Sequence, residues 1–321
     1  MSDSAAKSGL KIQVSRSQKQ LLSTFSGLFI LGVVFSILSP YFFSVNNLLT
    51  VATQTAVIAI IAIGQTYVLI TGGIDLSIGS NIALSAMVAG LVMRAQLPVP
   101  LAICAGLVTG AISGAVGGIL VAIANIPPFI ATLGTMTIAR GLALTLTQAI
   151  PISGLPKSFT VLGTGSTLGI PNPVIVMVLL VVVFGFILAK TKLGRHVYAT
   201  GSNFEAARLS GVNTKKVLIT VYVFSGLLAA FAGLIMAARI ISAQPAGGDG
   251  YELDAVASSV IGGTSTMGGE GTAAGTFIGA FVIGVLRNGL NLIGVSPFIQ
   301  KIVIGIVIVA SVFLDRMRKK D

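Results

Sequence analysis

The stretch VATQTAVIAIIAIGQTYVLITGGIDLSIGS, residues 51–80, decides the class of this fold. From Val51 to Ile70 it carries no charged residue, and about 20 apolar residues are what a helix needs to cross a hydrocarbon layer of about 30 Å. A glycine pair, Gly72-Gly73, and a carboxylate, Asp75, then interrupt the apolar run. Irregular, polar backbone survives at membrane depth only where protein covers it or where it lines a path. The whole chain agrees with this local reading: 54% of its 321 residues are hydrophobic and 9% charged, against roughly 25% charged in a soluble domain.

Apolar windows recur at 21–38, 48–71, 81–93, 101–124, 128–148, 173–189, 217–238, 255–262, 272–292 and 298–314, giving ten candidate crossings. Spans 81–93 and 255–262 are too short to cross alone, so they predict discontinuous elements beside the glycine-rich runs 72–80 and 262–271. A division near residue 172 leaves five crossings on each side, an odd number that orients the halves oppositely in the bilayer. GIDLSIGS at 73–80 and GYELDAVAS at 250–258 then fall at corresponding places, each with a carboxylate, a leucine and small residues. The expected fold is an all-α integral membrane protein of about ten transmembrane helices, some discontinuous, arranged as an inverted repeat of two five-helix halves.

The net charge of +11 is explained by where the cations sit. Fourteen of the twenty lie in three segments: Lys7, Lys11, Arg16 and Lys19; Lys190, Lys192, Arg195, Arg208, Lys215 and Lys216; Arg316, Arg318, Lys319 and Lys320. Ten crossings put all three on one side, which the positive-inside rule makes the cytoplasm. The opposite side holds Arg94, Lys157 and Arg239, the last near Asp249, Glu252 and Asp254 in sequence. The division is therefore a cytoplasmic segment 1–20, a transmembrane region 21–314 that includes a cytoplasmic loop 190–216, and a cytoplasmic tail 315–321. Residues 1–20 lack a convincing cleavage site, so 21–38 reads as an uncleaved helix. No basic, aromatic-interleaved face remains for nucleic acid.

Chemistry is sparse. One histidine and one cysteine, Cys104, exclude a His/Cys metal cluster and an intrachain disulfide. The glycine-rich run 268–276 has no lysine and is not a phosphate-cradling loop, so no nucleotide or other cofactor is expected on this chain, and no catalytic residue. Gln54, Gln65, Asp75, Ser77, Thr264, Ser265, Asn288 and Asn291 are the polar groups in or beside spans that could line a path for a hydroxylated solute. Each has a structural alternative: Asp75 as an N-cap of the third helix, the amides as interhelical glue. Arg140 and Arg287 read as snorkelling or paired. Gly106, Gly110, Gly114 and Gly118, and Gly271, Gly275 and Gly279, recur every four residues as grooves for neighbouring helices. In the basic loop, Asn203 caps a turn of Phe204, Glu205, Ala206, Ala207, Arg208 and Leu209, and Gly211 stops it. A short exposed helix with an Ala-Ala top beside Phe204 and Leu209 suits docking into a partner's groove, where a plain connector would need no such composition.

The strings Ile37-Leu-Ser-Pro40, Asn46-Asn-Leu48, Thr71-Gly-Gly-Ile-Asp-Leu-Ser-Ile-Gly79, Pro128-Phe-Ile-Ala-Thr-Leu133, Leu193-Gly-Arg195, Glu205-Ala-Ala207, Leu209-Ser-Gly211, Ser242-Ala-Gln-Pro245, Tyr251-Glu-Leu-Asp-Ala255, Gly262-Gly-Thr-Ser265 and Asn288-Gly-Leu-Asn-Leu292 occur in one register. In them the chain resembles the permease subunits of bacterial monosaccharide ABC importers, those for ribose nearest in pattern. The resemblance implies a subunit of the bacterial inner membrane that is not itself an enzyme. It implies a second permease subunit, commonly an identical one, a cytoplasmic ATPase that holds ATP and Mg²⁺, and an extracytoplasmic sugar-binding protein. It makes 204–211 the coupling helix on the ATPase, and it leaves ribose, galactose, xylose, inositol and autoinducer-2 as candidate solutes. From the residues alone, an ion-gradient symporter with Asp75 as proton carrier is the rival.

Overall fold

The computed structural model describes residues 16–318, so Lys7, Lys11, Lys319 and Lys320 lie outside the described residues. In chain order the helices are α1 (Arg16–Leu38), α2 (Val45–Ile70), α3 (Ile78–Arg94), α4 (Val99–Ala122), α5 (Pro128–Thr145), α6 (Lys157–Thr164), α7 (Asn172–Lys190), α8 (Lys192–Ser202), α9 (Phe204–Leu209), α10 (Thr214–Ile240), α11 (Tyr251–Ile261), α12 (Ala273–Leu292) and α13 (Pro297–Arg318). Among the described residues six helices are long and apolar enough to cross a membrane: residues 21–38 of α1, and α2, α4, α7, α10 and α12. Helix α3 and residues 297–310 of α13 are shorter apolar helices. Each candidate span coincides with a helix. Large apolar side chains such as Phe29, Ile112, Val182 and Ile306 face outward, as a lipid-bathed surface requires.

Local signals set the boundaries. Prolines open α4, α5 and α7, where a missing N–H costs nothing. Ser44, Asn213 and Thr272 cap α2, α10 and α12 through their side chains. The segment 149–172, rich in proline and glycine, contains α6 and takes part in two small antiparallel pairings. Strand β1 (Ile152–Ser153) pairs with β4 (Ser242–Ala243), and β2 (Ser166–Thr167) with β3 (Ile170–Pro171). The buried Phe159 fixes α6 in place. The basic loop 190–216 likewise holds two helices, α8 and α9, where one was expected.

The core is α2 crossed by α10, with α3 and α4 on α10 and α11 and α12 on α2. Close approach through glycine carries the α4–α10 contact. A Cβ on Gly110 would strike the Gly226 carbonyl, on Gly114 the Tyr222 carbonyl, and on Gly118 the Ile219 backbone. The second stripe is shorter than its spacing suggested: Gly275 and Gly279 meet Gly262 and Ser258 of the α11 end, but Gly271 lies before α12 in the loop.

Both short helices start deep in the bundle. After α2 the chain turns at Thr71-Gly72 and runs without regular structure over 73–77 to α10, where Asp75 meets Ser225, and Gly79 then abuts Gly248 and Glu252. Ser225 sits near the middle of α10, so α3 begins there and not at the end of the bundle. Helix α11 follows from the Gly248 turn and ends at the glycine run 262–271, beside which it was expected, so irregular backbone flanks it on both sides. Ile241 enters the segment before α11 with φ +56°.

The glycine contacts make a stability prediction. Gly114→Ala should lower detergent-solubilised stability by about 1–3 kcal/mol, the usual cost of overpacking, whereas Gly134→Ala, where nothing lies within 4 Å, should be neutral. Thermal unfolding of the two variants side by side checks this.

Candidate functional site

Two sets of polar residues stand out. The first is at the basic end of the bundle, on α9. Asn203 caps the helix by accepting the Ala206 N–H at 2.9 Å, and Gly211 ends it at φ +85°. Phe204 and Leu209 point outward, Leu209 being 78% exposed. Arg208 and Glu205 pair along the surface at 2.8 Å, an exposed contact that stabilises little. The Ala-Ala top is only half as expected: Ala206 is exposed but Ala207 is buried. Ala207 is the seat of the helix on the bundle, because a six-residue helix needs one inward residue to hold its angle.

The second set surrounds Asp75, which is fully buried. Its Oδ1 accepts from the Ser77 N–H at 2.9 Å and the Ser77 hydroxyl at 2.6 Å, and its Oδ2 from the Ser225 hydroxyl at 2.6 Å. The Gln65 amide, oriented to satisfy both ends, donates to the Asp75 carbonyl at 3.1 Å and accepts its N–H at 3.2 Å. Asn81 donates to the Ser77 hydroxyl at 3.1 Å, and Thr132 to the Ile74 carbonyl at 3.1 Å. Asp75 is thus two residues ahead of the actual N-cap, Ser77. It pins the break to α10, a role beyond the solute contact and the N-cap that were weighed for it.

The remaining path candidates separate into other places. Thr264 and Ser265 are buried at the basic end, where Thr264 meets Thr276, and Thr276 lies 2.6 Å from Thr66. Asn288 exchanges two hydrogen bonds with Asn47, at 3.0 and 2.9 Å. Asn291 accepts from Gln300 at 2.7 Å. Gln54 is half-buried on α2. Asn288 and Asn291 thereby act as interhelical glue, and the eight residues do not line one cavity.

Charged residues deep in the fold were undervalued by the sequence reading. Arg287 holds the buried Asp254, its Nη2 2.8 Å from Oδ1 and 2.6 Å from Oδ2, and lies over the Tyr251 ring at 5.7 Å. Arg140 donates to the carbonyls of Pro245 and Gly247 at 3.0 and 2.9 Å, closing the turn before α11. Asp249 pairs with Lys301 at 3.6 Å. Arg239, expected beside these acids, reaches the Thr53 carbonyl instead. The signal available in the sequence was the match of an arginine and an aspartate, each on an apolar helix, since an intramembrane charge must find its opposite. Among the described residues no group of His, Cys, Asp and Glu could hold a metal ion.

Residues 47–312 match the family model described as the branched-chain amino acid transport system / permease component. The chain belongs to this permease family. The ribose import permease protein RbsC of Bacillus subtilis is 50% identical over 302 residues, 93% of this chain and 94% of that protein. RbsC of Escherichia coli K12 is 44% identical over 306 residues, 94% of each. The D-allose transport system permease protein AlsC of the same organism is 38% identical over 299 residues, 92% of each. No solved structure matches the chain significantly. The chain is a multi-pass membrane permease and not an enzyme.

Breaking the deep ion pair should be costly. Arg287→Ala strands the Asp254 carboxylate and should destabilise the permease by about 2–4 kcal/mol, whereas the double variant Arg287→Met/Asp254→Leu should recover most of that loss. Thermal unfolding of the single and double variants in detergent measures both.

Proposed function

We propose that this chain forms the transmembrane pathway of an ATP-driven importer for ribose or a similar monosaccharide, and that α9 is its foot on a separate cytoplasmic ATPase. The observation that carries the reading is the foot itself: a capped six-residue helix that turns Phe204 and Leu209 outward at the end of the bundle where six cations cluster. The matched sugar permeases, which extend over nearly the whole chain, support the solute class. In this arrangement ATP and Mg²⁺ belong to the ATPase, an extracytoplasmic binding protein delivers the sugar, and a second permease copy completes the duct in the inner membrane.

The positive-inside rule puts the basic end and both termini in the cytoplasm. Ten crossings and an inverted repeat are supported by the pairing of the helices. If α2, α3, α4 and α5 are exchanged for α10, α11, α12 and α13, the contacts α3–α10, α4–α10, α3–α4 and α3–α5 become α11–α2, α12–α2, α11–α12 and α11–α13, and each of these exists. The rival, a symporter with Asp75 as proton carrier, sits poorly with a carboxylate whose oxygens are both taken by hydroxyls and a backbone N–H of its own fold.

The test is reconstitution of the chain with its ATPase and binding protein in proteoliposomes. Uptake should require ATP and be indifferent to a proton gradient; accumulation by the chain alone under a proton gradient would overturn the reading. Leu209→Asp should cut ATPase copurification about tenfold or more, as expected where an apolar anchor in a docking surface is lost, without altering membrane insertion. Unchanged copurification would remove α9 from the interface.

A further inference from the structure

Helix α9 can drive the bundle only through what supports it, and the supports converge at one place. Asn203 alone separates α8 from α9, and its side chain caps α9, so the two helices meet without slack. The other end of this unit is traced by its contacts. Gly201 of α8 lies so close to the Ile70 carbonyl, at the end of α2, that no Cβ fits there. The Gly269 N–H donates to that same carbonyl at 2.8 Å. Gly268 and Gly269, with φ of +86° and +78°, pack on Gly201 and Ser202. Three segments therefore share one carbonyl oxygen: the end of α8, the end of α2 and the glycine loop 262–271.

One side-chain bond crosses this joint. Tyr198, one turn before Gly201 on α8, donates its hydroxyl to the Gly271 carbonyl at 2.6 Å. Gly271 adjoins Thr272, which caps α12 by accepting the Gly275 N–H at 3.0 Å. Beyond the joint, α2 leads through 71–74 to Asp75, and Thr66 of α2 bonds to Ser259 of α11 and Thr276 of α12, at 3.1 and 2.6 Å. Motion of α8 must therefore displace α2 and the start of α12 together, provided that the loop stays attached to α8.

We propose that Tyr198 is a positioning residue for coupling: its bond to Gly271 clamps the glycine loop to α8, so that movement of α9 is delivered to α2 and α12 instead of being absorbed by a loop of glycines. The proposal rests on the reading of α9 as the foot on the ATPase. A hinge rich in residues with positive φ deforms easily, and the clamp is what makes it stiff.

Tyr198→Phe keeps the ring and removes only the hydroxyl. In proteoliposomes holding the permease, its ATPase and the binding protein, sugar imported per ATP hydrolysed should fall roughly two- to tenfold, the range over which one neutral hydrogen bond biases two states. ATPase copurification should stay at the wild-type level, because α9 keeps its surface. A ratio equal to wild type overturns the proposal, including the case in which uptake and hydrolysis decline in parallel, which would mark a merely structural bond. Gly269→Ala, which strains the same loop, should lower the ratio in the same direction, and an unchanged ratio there would count equally against the clamp. Absence of ATP-driven uptake by the wild-type complex would instead reject the reading of the foot, so the two failures are distinguishable.

Discussion

The structure depends on satisfying the backbone of residues 71–77 inside a bundle surrounded by lipid. An unpaired N–H or C=O in hydrocarbon costs several kcal/mol, and an irregular segment cannot serve itself as a helix does. Neighbours supply the partners here. The Gly73 N–H goes back to Val68, the Asp75 N–H and carbonyl to the Gln65 amide, the Ile74 carbonyl to Thr132, and the Ser77 N–H to the Asp75 carboxylate. Val68 and Gln65 belong to α2, Thr132 to α5 and Asp75 to the segment itself, so the break ties α2, α5 and the start of α3 together. Asp75 is needed because a carboxylate accepts from several donors at once, and Ser225 brings α10 into the same network.

Much of this was legible in the sequence because the bilayer restricts the choices. Apolar length located the helices, the glycine spacing of 106–118 marked a groove whose occupant, α10, only the structure names, and Asn203 and Gly211 bounded α9. Features set by long-range partners were not legible. Nothing local to Asp254 and Arg287 announces their pairing, which depends on two helices distant in sequence meeting. The role of Ala207 turned on which face of a six-residue helix looks inward, a choice that periodicity cannot make over so short a span. Asn288 and Asn291 carry residue types that suit a solute path and an interhelical bond equally well, and only their partners, Asn47 and Gln300, decide between them. Helix α11 starts at Tyr251, ahead of the expected span 255–262, because its boundary is made by the Gly248 and Gly250 turns held by Arg140, a partner distant in sequence.

The two short helices are reached by contacts that begin at the basic end of the bundle, at Ile70. Both α3 and α11 begin in the interior, and their starts meet where Gly79 abuts Glu252. A helix that starts there has no neighbour in sequence to anchor its first turn; it is held by the segment that feeds it. For α3 that segment leaves α2 at Ile70, the residue whose carbonyl receives Gly269 and excludes a side chain at Gly201. For α11, beside the Arg140 contacts at its start, a second hold lies at its other end, where the glycine loop leads on to α12 and Ser259 bonds to the Ala62 carbonyl of α2 at 3.0 Å. A displacement applied at Ile70 therefore reaches both interior helix starts, one through 71–77 and one through the α2–α11 contact. The loop with α8 and α9 follows α7 and touches the end of α2 on one side and the approach to α12 on the other. A displacement entering there reaches α2 and the start of α12 together, because both contacts are made by the same helix, α8.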